Sequence, residues 1–139
     1  MKFSPRKEPV IYVVEPFGGS VRRHMPALPL VYADDAAVTR GDGIFESLLV
    51  RDGKAANFQR HAERFAQSAR ALDLPEPPMH KWEEATQLAI ADFCGTVAGD
   101  HVLPEAKCTW TYTRGRASTG HPSAWVVVQA IDKKLLEQR

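Results

Sequence analysis

Asp52 and Gly53 stand between two strand-like runs, Ile44 to Val50 and Lys54 to Phe58. An Asp-Gly pair suits the backbone angles of a two-residue reverse turn, so the two runs are expected to fold back as an antiparallel hairpin. In the first run Ile44, Glu46, Leu48 and Val50 share one face, and Phe45, Ser47 and Leu49 share the other. Both faces are mostly apolar, which predicts a central strand. Asn57 then suits a helix N-cap, and Phe58, Ala62, Phe65, Ala69 and Leu72 recur at three- and four-residue steps, predicting an amphipathic helix that ends at Leu74-Pro75.

Around this unit the chain supplies the rest of a small domain. Val10 to Val14 is a β-branched and aromatic run expected to form an early strand. Residues 15–29 hold Pro16, Gly18, Gly19, Pro26 and Pro29 with the cationic Arg22-Arg23-His24, so a surface excursion is expected there, with a short strand at Leu30 to Tyr32. A second helix is predicted from His80 to Val97. Ala106 to Thr113 alternates apolar and polar residues, and Ala124 to Ala130 is apolar, so the two form a second hairpin. The predicted fold class is α+β: an antiparallel or mixed sheet with two helices packed on one face.

At 139 residues the chain is expected to be one domain over residues 1–131, with 132–139 beginning a linker. Eighteen Lys and Arg against 17 Asp and Glu give a net charge of +1, which supplies no electrostatic case for nucleic acid or an anionic membrane surface. The apolar run of five residues before Glu15 is too short for a signal peptide or a membrane span, and Cys94 and Cys108 make neither a disulfide framework nor a zinc motif. A soluble, cytoplasmic protein is expected. Phosphate-loop, dinucleotide and nucleophile-elbow motifs are absent, and His24, His61, His80, His101 and His121 lack metal-ligand spacing.

Two arginines remain, Arg64 on the first predicted helix and Arg114 at the end of a strand. A planar guanidinium can take phosphate or carboxylate bidentately, so the pair suggests a doubly anionic ligand. The alternative is a surface salt bridge from Arg64 to Glu63 or Asp73, with Arg114 solvating a hairpin end.

The run RGDGIFESLLVRDGKAANFQRHAERFAQSARALDLPEP resembles the amino-terminal domain of class IV (fold type IV) pyridoxal-phosphate enzymes, which include branched-chain and D-amino-acid aminotransferases and aminodeoxychorismate lyases. Gly41, Asp42, Gly43, Phe45, Glu46, Asp52, Gly53, His61, Arg64 and Ser68 carry the match, and YTRGRASTGHP is similar to the family's Thr-Arg-Gly loop. The resemblance covers residues 31–130. It implies that Arg64 binds the cofactor phosphate, that Phe45 lines the substrate side of the pocket, and that Arg114 with the Gly115 backbone receives the substrate carboxylate. It implies pyridoxal phosphate as cofactor, a small amino acid or aminodeoxychorismate as substrate, and a homodimer. For Phe45 a core-filling role is the alternative, and for His61 a packed, hydrogen-bonded one.

In that family a lysine bonded to the cofactor moves the proton at the substrate carbon. Lys2, Lys7, Lys54, Lys81, Lys107, Lys133 and Lys134 are not in a family-like context, and the resemblance puts that lysine in a carboxyl-terminal domain beyond residue 139. The chain is therefore expected to be the amino-terminal part of such an enzyme, with no catalytic residue of its own and inactive alone. The Arg114-Gly115-Arg116 loop is most similar to the lyases that release 4-aminobenzoate for folate synthesis. Branched-chain or D-amino-acid transamination is the alternative activity, and a non-catalytic binding or assembly domain is the alternative from another class.

Overall fold

The computed structural model describes residues 8–15, 20–95 and 105–131. Its strands are β1 (Val10–Val14), β2 (Val21–His24), β3 (Gly43–Arg51), β4 (Lys54–Ala55), β5 (Ala106–Thr113) and β6 (Ser123–Ala130). Its helices are α1 (Ala36–Thr39), α2 (Phe58–Ala71) and α3 (Met79–Cys94). The strands form one sheet in the order β2-β1-β6-β5-β3-β4, antiparallel at every pairing. Both long helices pack on the same face, α2 against β3 and α3 against β1 and β6. The α+β expectation therefore holds, with a wholly antiparallel sheet and a third, single-turn helix added.

Alternation in β5 sets the inside of the molecule. Ala106, Cys108, Trp110 and Tyr112 are all buried beneath the helices. Phe65 of α2 sits edge-on to Trp82 of α3 and to Trp110, with ring centroids 4.8 and 5.3 Å away, the arrangement favoured by aromatic quadrupoles. The buried polar tips are satisfied: the Trp110 indole donates to Thr86 Oγ1 at 2.9 Å, and the Tyr112 hydroxyl donates to the Pro75 carbonyl at 2.8 Å. The second bond anchors the connector between α2 and α3 to the sheet.

Several local expectations change. Residues 22–24 are not a loop: they belong to β2, paired to β1 in the register Val13↔Arg22. An edge strand can carry such charges, which also protect it from further pairing. Arg22 and Arg23 are held by Glu15 and Asp92. Leu30 to Tyr32 forms no strand. The hairpin return is only two residues long, so β3 lies beside the short edge strand and β5 and β6 occupy the centre. Asn57 does precede α2 but without a side-chain cap; its φ of 56° turns the chain from strand into helix, a conformation Asn tolerates.

The end of α2 is a Schellman closure with an aspartate where glycine is usual. Asp73 has a φ of 56°, its N–H donates to the Arg70 carbonyl at 3.1 Å, and Leu74 N–H donates to Ala69 at 2.9 Å. Helix α3 ends at Cys94; the predicted continuation to Val97 and the linker from 132 lie outside the described residues. No helix among the described residues is long and apolar enough to cross a membrane.

Candidate functional site

The turn before β3 is bound to the end of β5 by paired backbones and by Arg114. Gly43 stands opposite Thr113, and the next residue, Arg114, donates from Nε to Asp42 Oδ2 at 2.8 Å and from Nη2 to the Leu72 carbonyl at 2.5 Å. Arg114 is thus more than a solvating group at a hairpin end: it ties the glycine-flanked turn to the end of α2. Among the described residues its Nη1 makes no hydrogen bond, which leaves one side of the guanidinium for a ligand.

Gly115 follows with a φ of 88°, and a Cβ there would lie 1.6 Å from the His121 carbonyl oxygen. Only glycine fits this close crossing. Its N–H donates to Thr113 Oγ1 at 2.9 Å and its carbonyl accepts from Ala36 N–H at 2.8 Å, so both backbone groups are used within the loop. A carboxylate approaching Gly115 N–H would compete with the Thr113 hydroxyl.

Beneath this loop Asp35 has no accessible surface. Its carboxylate accepts from Ala37 N–H at 2.9 Å, Thr113 Oγ1 at 2.7 Å and Ser123 Oγ at 2.6 Å, which caps α1 and joins it to β5 and β6. Neighbouring Asp34 accepts from Arg116 Nε and the Ser118 hydroxyl, while the Arg116 guanidinium lies 4.0 Å above the Tyr32 ring. Hydrogen bonds from Ser118 and then Arg116 hold the Asp34 carboxyl down to about 2.

The second cluster lies further along β3. Glu46 shares its face with the apolar Ile44, Leu48 and Val50 and is 6% exposed. His61 Nδ1 is 2.5 Å from Glu46 Oε2; Arg64 donates from Nε to the same oxygen at 3.0 Å and also from Nη2. Burial pushes the Glu46 carboxyl up, but the bonds from Arg64 and His61 outweigh it and leave the group below the ordinary range. An ionised carboxylate can only accept, so His61 Nδ1 carries the proton it donates. The Arg64 side chain remains 56% exposed. Its partner is therefore neither Glu63 nor Asp73, and His61 is packed and hydrogen-bonded as the alternative reading had it. A carboxylate inside an apolar row of a strand was the signal for Glu46, since such a group needs donors when buried.

Phe45 points to the opposite face of β3 and is 72% exposed, so it fills no core. Strand register places Phe45, Thr111, Trp125 and Val13 in one row across the helix-free face. A groove of about 510 Å³ lies at the far end of this row between Val13, Arg22, His24, Trp125 and the loops carrying Tyr32 and Arg116. The anchors of Arg114 and Arg64, Asp42 and Glu46, are four residues apart, about 13 Å along a strand. Phe45 lies between them on the other side. Among the described residues no cluster of His, Cys, Asp and Glu could hold a metal ion, and Lys54 and Lys107 are exposed.

Residues 43–139 match the model of class IV amino-transferases. The chain belongs to that family. A bifunctional aminodeoxychorismate lyase / D-amino acid transaminase from Mycobacterium tuberculosis is 40% identical over 114 residues, covering 82% of this chain and 38% of that protein. A crystal structure assigned to the aminotransferases, from Corynebacterium glutamicum, is 53% identical with a TM-score of 0.85, covering 94% of this chain and 51% of that one. A hypothetical aminotransferase from M. tuberculosis, solved in a PLP-bound form, is 37% identical with a TM-score of 0.77, covering 91% and 42%. This class IV chain thus spans about two fifths to a half of the length of these relatives.

Proposed function

We propose that this class IV chain provides the phosphate-holding and substrate-facing part of a pyridoxal-phosphate enzyme that releases 4-aminobenzoate from 4-amino-4-deoxychorismate, in a cytoplasmic homodimer. Arg64 carries the reading. Its Nε side is taken by Glu46, and its outer edge stays in solvent where a phosphate monoester can meet two N–H groups. The donor set fits an anion and offers no metal site. Pyridoxal phosphate, when bound, supplies the electron sink for the bond broken at the substrate carbon.

The residues of this chain have three tasks in that scheme. Arg64 fixes the phosphate end. Phe45 gives an apolar wall on the substrate side and, having no hydroxyl, moves no proton. Arg114 meets a substrate carboxylate through Nη1 while Asp42 and Leu72 hold the other side of its guanidinium. Proton movement at the substrate carbon needs a lysine in a low-dielectric setting; among the described residues Lys54 and Lys107 stand in solvent, and the half-buried Lys81 donates to the Glu15 carbonyl. That lysine is proposed to come from a carboxyl-terminal domain, with residues 132–139 leading toward it, and the chain alone is expected to be inactive.

Transamination of D-amino acids is the second reading, favoured by the double name of the 40% identical relative; branched-chain substrates are a further option within it. The deciding experiment titrates the chain with pyridoxal phosphate and with pyridoxal. A preference of tenfold or more for the phosphorylated form, abolished in Arg64→Gln, is expected; equal binding of both by the parent chain overturns the cofactor reading. Product analysis on the longer protein separates the two: 4-aminobenzoate released together with pyruvate marks the lyase, and a 2-oxo acid formed from a D-amino acid without 4-aminobenzoate marks the transaminase.

A further inference from the structure

Glu46 occupies a position where an aliphatic side chain would serve the core as well. It lies opposite Trp110 in the β3–β5 register and under α2, with Leu48 and Val50 following it on the same face. Two donors from consecutive turns of α2 reach the single carboxylate, because residues three apart on a helix project from neighbouring positions. His61 approaches Oε2 through Nδ1, and Arg64 brings both Nε and Nη2.

The Arg64 side chain is 56% exposed, so solvent screens its share of the pairing, although the nearly buried Glu46 gains from its donors whenever it is ionised. What the contact does determine is direction. A free arginine side chain samples many rotamers, and an anion binding to it must first select one. With Nε and one edge of Nη2 committed, the guanidinium plane is fixed, and Nη1 is left uncommitted on a side chain that is 56% exposed. His61 steadies the carboxylate from the helix side and shares its charge, so the negative group faces inward and the positive one outward.

We infer that Glu46 is a positioning residue that presets the outer edge of Arg64 for a phosphate monoester, with His61 as the second support of its carboxylate. The inference rests on the proposed role of Arg64 and goes beyond it, since an unsupported arginine could also bind phosphate. Charge alone would give the opposite result. Glu46 is an anion near the proposed phosphate, so a purely Coulombic view makes its removal raise affinity for a phosphorylated ligand.

The test uses the full chain as parent, Glu46→Ala, Glu46→Gln and Arg64→Gln. Folding is checked by circular dichroism and binding by titration with pyridoxal phosphate and with pyridoxal. The Arg64 Nε–H signal is followed by nitrogen-15 NMR without ligand. In the parent that proton should exchange slowly with water. In Glu46→Ala it should exchange at least tenfold faster, and the preference for the phosphorylated ligand should fall at least tenfold. Glu46→Gln, which keeps one acceptor of the same shape, should lie between, and it decides the matter if the alanine variant does not fold.

Unchanged or tighter phosphate binding in the folded Glu46 variants, with Arg64→Gln still defective, overturns the positioning role and leaves the Arg64 reading intact. Retention of full phosphate preference by Arg64→Gln overturns both.

Discussion

Asp35 and Thr113 meet where neither has accessible surface, with the Thr113 hydroxyl donating to Asp35 Oδ1 at 2.7 Å. The same carboxylate caps α1 through Ala37 N–H and takes the Ser123 hydroxyl, so one side chain joins three segments around the Arg114-Gly115 loop. Replacing it with alanine leaves those donors without their acceptor in the interior. Asp35→Ala is expected to cost about 3 kcal/mol, and Asp35→Asn, which keeps an acceptor, roughly half of that. Urea unfolding of the two variants measures both.

Gly115 and Gly41 both have positive φ, yet they are expected to respond differently to substitution. At Gly115 an added Cβ would collide with the His121 carbonyl at 1.6 Å; at Gly41 nothing lies within 4 Å. Gly41→Ala then carries only the left-handed backbone penalty, about 1–2 kcal/mol. Gly115→Ala must also move the crossing chain and is expected to cost at least about 3 kcal/mol, with altered Arg114 geometry. Thermal unfolding of the pair separates strain from collision.

The parts legible in sequence were those governed by local period. Alternation in Ala106–Thr113 and the apolar steps of Phe58 to Leu72 place a strand and a helix with their buried faces, because burial of one side writes a two- or 3.6-residue pattern. Strand β2 escaped because edge strands are half solvated and Arg22 and Arg23 could be paired outward. Asp34 and Asp35 carry no local pattern, and only the return of the chain at Thr113, Arg116 and Ser123 makes them the centre of a network. Glu46 as the partner of Arg64 is also non-local, 18 residues away in sequence. Family resemblance singles out Arg64, Phe45 and Arg114, whereas the groups holding Arg64 and Arg114 in place required the fold.

Phe45 is large, apolar and 72% exposed, so its removal should cost the isolated chain little. Phe45→Ser is expected to change stability by less than about 0.5 kcal/mol, the usual range for a surface site. It should also weaken any self-association through the helix-free face, where the half-buried Val13, Trp125 and Val127 continue the apolar surface. Sedimentation velocity at matched concentrations reports this; equal association in parent and variant would remove Phe45 from the contact.

Acid should weaken the chain through Asp34 and Glu46. Both carboxyls lie below their unfolded values of 3.8 and 4.5 in the folded protein, Asp34 at about 2. A depressed folded pKa gives stability that is present above the unfolded value and is lost as pH falls through the folded one. The loss is therefore expected from about pH 4.5 downward to about pH 2. Because Asp34 pairs with Ser118 and Arg116 near the surface, Asp34→Asn should reduce the acid slope, while added salt weakens the Arg116 contribution at neutral pH. Denaturant midpoints between pH 2 and 7 test this.

Alkali acts through the interior. Burial pushes the Cys108 thiol from 9.0 up to about 12, with the neighbouring Trp110 and Thr86 offsetting part of the rise. A raised folded pKa means that stability is complete below the unfolded value and falls as pH rises toward the folded one, because only the unfolded chain releases the proton. The slope for this thiol alone reaches about 1.4 kcal/mol per pH unit between 9 and 12. Burial also raises Tyr12 and Tyr112 above 10.0, so the decline should steepen there. Cys108→Ala loses packing at all pH values but lacks the titrating thiol. Its deficit relative to the parent is therefore expected to shrink steadily from pH 9 upward, and parallel urea midpoints across that range would show that Cys108 does not drive the loss.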